Sequence, residues 1–196
     1  MYFINQLISI DKSVLIYLNN LGSPKWDGFW LFVTNQYNWI PLFVFMLFLI
    51  FKFYGLKKGL IILVLAALLV AFTDQFVNLI KHTFERLRPN NDSTVKNLIR
   101  IAYSPHSYSF VSGHATNSMA NTVFIYLLLK KHFKQVWLFF VWPLVFAYSR
   151  IYLGVHYPID ILAGALLGVG LGFGFYKICL FVLRKIFISK TLKHTP

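Results

Sequence analysis

Three short stretches of the chain contain side chains that are suited to binding and cleaving a phosphate ester. They are KHTFERLRP (residues 81–89), SGH (112–114) and SRIYLGVHYPID (149–160). Each stretch adjoins a long apolar run, where charged side chains are costly and are usually retained for function. Their basic, imidazole and carboxylate groups therefore indicate an active site for an anionic substrate.

The permanent cations of these stretches are suited to holding a phosphoryl group. Arg88 and Arg150 can each present a planar fork of N–H donors, and Lys81 adds a compact positive charge. Ser112 and Gly113 fall at the predicted start of a helix, where free backbone N–H groups and the helix dipole favour an anion. These five residues form the predicted phosphate-binding set.

The histidines and the aspartate supply the other groups that phosphoryl transfer needs. His156 and Asp160 are four residues apart, so they lie close together if a helix begins near Pro158. Asp160 would then orient the imidazole of His156 as the nucleophile, and His114 would act as general acid and then as general base. This chemistry needs no cofactor. The sequence contains no carboxylate cluster for magnesium, so no metal site is predicted.

The composition indicates a membrane protein. Of the 196 residues, 58% are hydrophobic and only 13% are charged, whereas charged residues make up about 25% of a soluble domain. The formal net charge is +13, but the basic residues lie between apolar runs and form no patch in a polar domain. This distribution argues against nucleic-acid binding and favours contact with a membrane.

The hydropathy pattern predicts an all-α, polytopic membrane helix bundle, with residues 1–196 forming a single domain. A membrane-spanning helix needs about 20 mostly apolar residues. Five transmembrane helices are predicted, at residues 37–53, 59–80, 113–129, 136–151 and 159–183. The first 36 residues have apolar positions at helical spacing, which predicts interfacial amphipathic helices, with a partial sixth span as the alternative. The oligomeric state is left open.

The basic residues are distributed unequally between the two faces of the predicted bundle. One face has 11 of them: Lys52, Lys57, Lys58, Lys130, Lys131, Lys134, Lys177, Arg184, Lys185, Lys190 and Lys193. The other face has 8, and three of these belong to the predicted phosphate-binding set. The positive-inside rule therefore predicts a cytoplasmic C-terminus and an active site that faces the periplasm or the outside.

Taken together, the three stretches resemble the signature motifs of the type 2 phosphatidic acid phosphatase superfamily. K-x6-RP, SGH and SR-x5-H-x3-D occur in that family's order and spacing across residues 81–160. The resemblance implies a metal-independent lipid phosphatase that forms a phosphohistidine, with the residues named above in the roles given to them. One position departs from the pattern, because Val111 stands where the family usually has proline.

The short chain is similar to the bacterial undecaprenyl pyrophosphate phosphatases of that superfamily, which implies a multi-pass protein of the bacterial inner membrane. Undecaprenyl pyrophosphate is therefore the first predicted substrate, and Lys96 or Arg100 in the outer loop could meet its second charge. Phosphatidylglycerophosphate, phosphatidate and a lipid A phosphate are the alternatives. A non-catalytic membrane scaffold or transport protein is the alternative of another class, whereas the related soluble haloperoxidases are excluded by the predicted spans.

Two further charged residues lie near the motifs but occupy none of their specified positions. Asp74 lies two helical turns before Lys81, and an aspartate inside a membrane is either a functional group or the structural partner of a cation. Arg86, within the first stretch, is expected to pair with charges of the loop.

Small residues recur in the last apolar run. Gly164, Gly168 and Gly172 are spaced by four residues, which places them on one face of a helix. Such a face allows two helices to approach closely in a membrane. The spacing predicts a helix-packing surface and not a binding loop.

Overall fold

The computed structural model describes residues 2–191, and every regular element in that range is helical. The α-helices are α1 (Tyr2–Asn20), α2 (Pro24–Thr34), α3 (Ile40–Phe84), α4 (Gly113–Leu129), α5 (Val141–Tyr152) and α6 (Pro158–Thr191). Short 3-10 helices occupy Gln36–Trp39, Lys96–Leu98 and Lys134–Phe140. The predicted all-α class is confirmed. Lys193, which contributes to the basic count above, lies outside the described residues.

Helix α3 consists of two helices joined at Gly55. A straight α-helix of its 45 residues would be about 68 Å long, more than twice the hydrocarbon thickness of a membrane. At Gly55 the backbone leaves the helical region (φ 69°, ψ 173°), and glycine adopts such a conformation because it has no Cβ. Residues from both halves line one groove, so the two halves fold back on each other. They correspond to the first two predicted spans.

Helices α4 and α6 pack closely through the small residues of α6. A Cβ atom added to Gly164, Gly168 or Gly172 would lie 2.8, 2.5 or 2.4 Å from a backbone oxygen at the start of α4 or within it. No larger residue fits at these positions without moving a helix backbone. The predicted packing surface is confirmed, and it holds the first turn of α6 against the first turn of α4.

The described residues contain two helical runs that are long and apolar enough to cross a membrane, judged by length and composition. These runs are Gln36–Phe84 and Pro158–Phe187. Helix α4 has 17 residues, and α5 has only 12 because a 3-10 helix precedes it. The number of five transmembrane helices therefore stays a prediction.

Helices α1 and α2 occupy the N-terminal region in which the sequence predicts helices, and α1 buries polar side chains. Asp11 and Asn19, two turns apart, are both buried. The side-chain amide of Asn19 donates to the carbonyl oxygen of Tyr152 at 2.7 Å, and its oxygen accepts from the N–H of Arg100 at 2.6 Å. Helix α1 thus ties the loop between α3 and α4 to the end of α5. An interfacial position for α1 and α2 stays a prediction.

Candidate active site

His156 lies in the turn before α6, and Asp160 lies in the first turn of that helix. Helix α6 begins at Pro158, where the fixed φ of proline suits the first helical position. Asp160 Oδ2 accepts a hydrogen bond from the N–H of Tyr157 at 2.9 Å, so its carboxylate caps the helix. Nδ1 of His156 lies 3.4 Å from the same oxygen, which is beyond the usual length of an N–H···O hydrogen bond.

Donors other than His156 hold the carboxylate of Asp160. Arg86 Nη1 donates to Asp160 Oδ1 at 2.6 Å, and the Ser109 hydroxyl donates to Oδ2. Arg86 Nη2 donates at 2.6 Å to Asp11 of α1, and the guanidinium lies 4.1 Å from the centre of the Tyr157 ring. Arg86 therefore bridges two buried carboxylates, each of which would be costly to leave unpaired. Its partners are on α1 and α6, and the expectation of pairing with loop charges is wrong.

Arg88 approaches the opposite side of the His156 ring. Its Nη1 lies 3.1 Å from His156 Nε2 and donates to the carbonyl oxygen of Val155 at 3.0 Å. Its Nε and Nη2 donate to the backbone oxygen and hydroxyl of Ser107 at 2.6 and 2.8 Å. Because a guanidinium can only donate, Nε2 presents its lone pair and the ring proton is on Nδ1, toward Asp160.

The ionisation of these two groups follows from their burial. Burial is the main cause that lowers the pKa of His156 to about 3; Asp160 opposes the shift, and Arg88 and Arg150 add to it. Burial also lowers the pKa of Arg88 to about 10. At neutral pH the site therefore presents a neutral imidazole next to a charged guanidinium, which is the state a nitrogen nucleophile requires.

Lys81 and Arg150 bring two more cations to the same end of the bundle. They lie in the last turns of α3 and α5, and their exposed fractions are only 8% and 3%. Nη1 of Arg150 donates to the hydroxyl of Thr34, and its guanidinium lies 5.6 Å from the centre of the Tyr103 ring. The Nε of Arg150 is buried without a hydrogen-bond partner among the described residues. Three like charges gathered at a buried position favour the binding of an anion.

The start of α4 completes the cluster. Ser112 is the N-cap of α4, and its N–H donates to the carbonyl oxygen of Asp160 at 3.0 Å. The N–H groups of Gly113 and His114 follow as the first orphan donors of the helix. The His114 ring stacks on Phe146 with a centroid distance of 4.8 Å, and it interacts electrostatically with Arg150 and His156. The eight predicted site residues therefore lie together.

Arg100, which the sequence offered as a contact for a second phosphate, is engaged elsewhere. Its Nη2 donates to both oxygens of Asp27 in α2, at 2.7 and 2.9 Å, and its guanidinium lies over the ring of Tyr152. Lys96 is exposed on a 3-10 helix of the loop. The structure therefore gives no support to a second phosphate contact by Arg100.

Four supporting residues were missed in the sequence: Asp11, Arg86, Ser107 and Ser109. A signal for the first two existed, because the chain has only six acidic residues. A buried carboxylate needs a cation or several hydrogen-bond donors. A partner could therefore have been predicted for each acidic residue near the motifs. Nothing in the sequence marks the two serines, because their loop positions depend on the path of the chain between α3 and α4.

Three buried cations around a neutral histidine, at one end of an apolar helical bundle, define a membrane protein that handles phosphate. Residues 59–182 match the model of the PAP2 superfamily, and the chain belongs to this superfamily. It is an enzyme of the lipid phosphatase class. The alternative of a non-catalytic scaffold or transport protein is therefore not retained.

Similar proteins extend over most of the chain. A lipid A 4'-phosphatase of Bacteroides thetaiotaomicron is 33% identical over 176 residues, covering 88% of this chain and 78% of that protein. An undecaprenyl-diphosphatase of Sulfolobus acidocaldarius is 33% identical over 169 residues, covering 84% and 75%. The solved structure of a transmembrane PAP2-type phosphatidylglycerolphosphate phosphatase from Bacillus subtilis superposes with a TM-score of 0.70 at 25% identity, covering 89% of this chain and 86% of that one.

Proposed function

We propose that the protein hydrolyses a phosphate monoester on an acylated membrane lipid, without a metal ion, through a phosphohistidine at His156. The observation that carries this proposal is the placement of His156 Nε2, which is neutral and lies 3.1 Å from Arg88 Nη1. A phosphoryl group bound to the arginine would thus be within reach of the nitrogen lone pair. Asp11 and Asp160, two of the six acidic residues, are both paired with Arg86. Their pairing supports a reaction without a metal ion.

The proposed reaction has two steps. In the first, His156 Nε2 attacks phosphorus, the bond to the lipid oxygen breaks, and His114 gives its proton to that departing oxygen. In the second, His114 takes a proton from water, the water oxygen attacks phosphorus, and the N–P bond breaks to release inorganic phosphate. Lys81, Arg88, Arg150 and the N–H groups at the start of α4 stabilise the negative charge of the phosphoryl oxygens in both steps.

A lipid A type phosphate is the first candidate substrate. The Bacteroides relative that covers 88% of this chain is a lipid A 4'-phosphatase, and a second lipid A 4'-phosphatase, from Porphyromonas gingivalis, covers 89%. The engagement of Arg100 by Asp27 also removes one of the two loop cations that could meet the second charge of a pyrophosphate. Undecaprenyl diphosphate is the second candidate, and the Sulfolobus undecaprenyl-diphosphatase favours it.

The location of the reaction is part of the same proposal. With the C-terminus in the cytoplasm, the site lies at the outer face of a bacterial inner membrane, at the depth of the lipid headgroups. The excess of basic residues on the opposite face supports this orientation. Residues 1–196 would act as one integral membrane domain, since α1 supplies Asp11 to the network that holds Asp160.

Phosphate release by the purified protein tests the proposed function. The panel contains a lipid A phosphate, phosphatidate and undecaprenyl diphosphate, each presented in mixed micelles with and without EDTA. We expect release that survives EDTA, is inhibited by vanadate as an analogue of the five-coordinate phosphoryl group, and is abolished in His156→Ala. Near-normal turnover in His156→Ala would remove His156 from the nucleophile role. Loss on chelation, restored by magnesium, would contradict the metal-free mechanism.

A further inference from the structure

A groove of about 580 Å³ runs between the two halves of α3, α4 and α5. Phe146 lines the groove and also stacks on His114, so one end of the groove adjoins the candidate active site. Ile50 and Leu63, on either side of the turn at Gly55, line its other end. The groove therefore leads from the active site into the apolar part of the bundle.

The lining of the groove is polar near the active site and apolar further from it. Asp74, Asn117, Ser118 and Asn121 line the end nearest His114. Asp74 lies seven residues before Lys81, or about 10 Å along the helix. A hydrocarbon chain leaving the active site would therefore first pass polar side chains, which are costly to bury beside hydrocarbon without partners.

The hydrogen bonds among these side chains leave both acceptors and donors unused. The amide of Asn117 donates to Asp74, and that of Asn121 donates to the backbone oxygen of Asn117 at 2.9 Å. Asn117 Oδ1 is buried and has no hydrogen-bond partner among the described residues. The second oxygen of Asp74 and the side-chain oxygen of Asn121 add two more acceptors.

Among the described residues of this end, the unused donors are the second N–H of Asn117, the second N–H of Asn121 and one indole N–H. Trp142 lines the groove, is 7% exposed, and its indole Nε1 is buried without a hydrogen-bond partner in the part of the chain that is described. A buried indole N–H normally has a partner. The polar end of the groove can therefore both donate and accept hydrogen bonds.

We infer that this end of the groove recognises amide and hydroxyl groups at the start of a substrate's acyl chains. An N-linked acyl chain offers an N–H and a carbonyl oxygen, and a hydroxyl on that chain adds a further donor. A glycerol ester offers acceptors alone, and a polyprenyl chain offers neither. The inference rests on the proposed function, and it assigns substrate choice to Asp74, Asn117, Asn121 and Trp142.

Of the two roles that the sequence allows for Asp74, this inference favours that of a functional group. The sequence left it as either a functional group or the partner of a cation, and within the described residues its side-chain partner is Asn117 and no cation. Gln75 is the next residue on α3, is exposed, and does not line the groove. Gln75→Leu is therefore a matched control for Asp74→Leu, because both replace a polar side chain of the same helix with the same apolar one.

The test compares two synthetic lipids, both N-acylated glucosamine phosphates, which differ only in a hydroxyl on the acyl chain. The readout is the ratio of their kcat/KM values, so that a general loss of activity in a variant cancels. We expect wild type and Gln75→Leu to prefer the hydroxylated lipid by about tenfold, as one or two hydrogen bonds would give. Asp74→Leu and Asn121→Leu should bring the ratio close to one. The same ratio in wild type and both groove variants, or no preference in wild type, would overturn the inference.

A binding measurement separates this inference from the proposed function. The hydroxylated lipid should raise the thermal midpoint of wild type and Gln75→Leu more than the other lipid does, because a ligand that binds only the folded state stabilises it. The difference should vanish in Asp74→Leu and Asn121→Leu. If wild type released no phosphate, the proposed function would be overturned. The thermal midpoints would still test whether the groove recognises the hydroxyl group.

Discussion

Arg86 donates a hydrogen bond from Nη1 to Asp160 Oδ1 at 2.6 Å, and the carboxylate beside the His156 ring is therefore held by a residue that the K-x6-RP motif leaves unspecified. The second fork nitrogen of Arg86 reaches Asp11 in α1 at the same distance. The position of the carboxylate next to the proposed nucleophile thus depends on an N-terminal helix that lies outside all three motifs.

Replacing Arg86 with lysine tests this relationship. Lysine keeps the positive charge but cannot form the planar fork that joins two carboxylates. We expect kcat to fall about tenfold or more with a much smaller change in KM, because Arg86 positions Asp160 and does not touch substrate. Asp11→Asn should lower kcat in the same direction but less, since it removes the charge and keeps an acceptor for the N–H of Ile159.

Lys12→Gln is the control for these variants, because Lys12 neighbours Asp11 in sequence but pairs with Asp92 in the loop. It should leave kcat within about twofold of wild type, because this half-buried ion pair includes neither Arg86 nor Asp160. An equal rise in KM and fall in kcat across all three variants would indicate a general structural effect instead of positioning.

The packing of α6 on α4 gives a prediction for a pair of glycines. A Cβ at Gly168 would lie 2.5 Å from the backbone oxygen of Thr116, whereas a Cβ at Gly170 would meet nothing within 4 Å. Gly168→Ala should therefore lower the thermal midpoint and the rate of phosphate release, since it separates the two helices whose first turns form the site. Gly170→Ala should be neutral or stabilising by up to about 1 kcal/mol, because alanine favours a helix more than glycine does. Equal melting behaviour of the two variants would contradict the close packing.

The lowered pKa of His156 gives a prediction for acid stability. The pKa is about 3 in the folded protein and about 6.5 in an unfolded chain. Below pH 6.5 the unfolded chain binds a proton that the folded protein does not, so stability is lost as the pH falls from 6.5 toward 3. At pH 5 this loss is about 2 kcal/mol. The thermal midpoint of wild type should therefore fall more between pH 7 and pH 5 than that of His156→Gln, and parallel curves would show that His156 titrates normally.

Single cysteines test the proposed orientation. Asn91, in the loop that covers the site, and Lys131, beyond the other end of α4, are both exposed, whereas Cys179 is the one native cysteine and is buried. In a Cys179→Ser background, Asn91→Cys should react with an impermeant thiol reagent in intact cells, and Lys131→Cys only after permeabilisation. The reverse labelling would place the site on the cytoplasmic face without affecting the phosphatase class.

Several features could be predicted from the sequence because they depend on local or pairwise spacing. The apolar runs determine the helical class, and the four-residue spacing of Gly164, Gly168 and Gly172 determines which face of α6 packs closely. The motif residues come together because an antiparallel bundle alternates the direction of its helices. As a result, one end of the bundle contains the helix ends that carry Lys81, Ser112, Arg150 and Asp160. For this reason the sequence alone could predict that these residues lie together.

The partners of those residues were decided only by the tertiary structure. Asp160 Oδ2 lies 3.4 Å from His156 Nδ1, and the hydrogen bonds that hold this carboxylate in place come from Arg86, Ser109 and the N–H of Tyr157. Arg100 pairs with Asp27 across 73 residues of sequence. Such pairings depend on where α1, α2 and the loop before α4 lie against the bundle. No periodic pattern in the sequence determines that position. Charge and hydrogen-bond capacity are properties of the residue, whereas the choice of partner is a property of the fold.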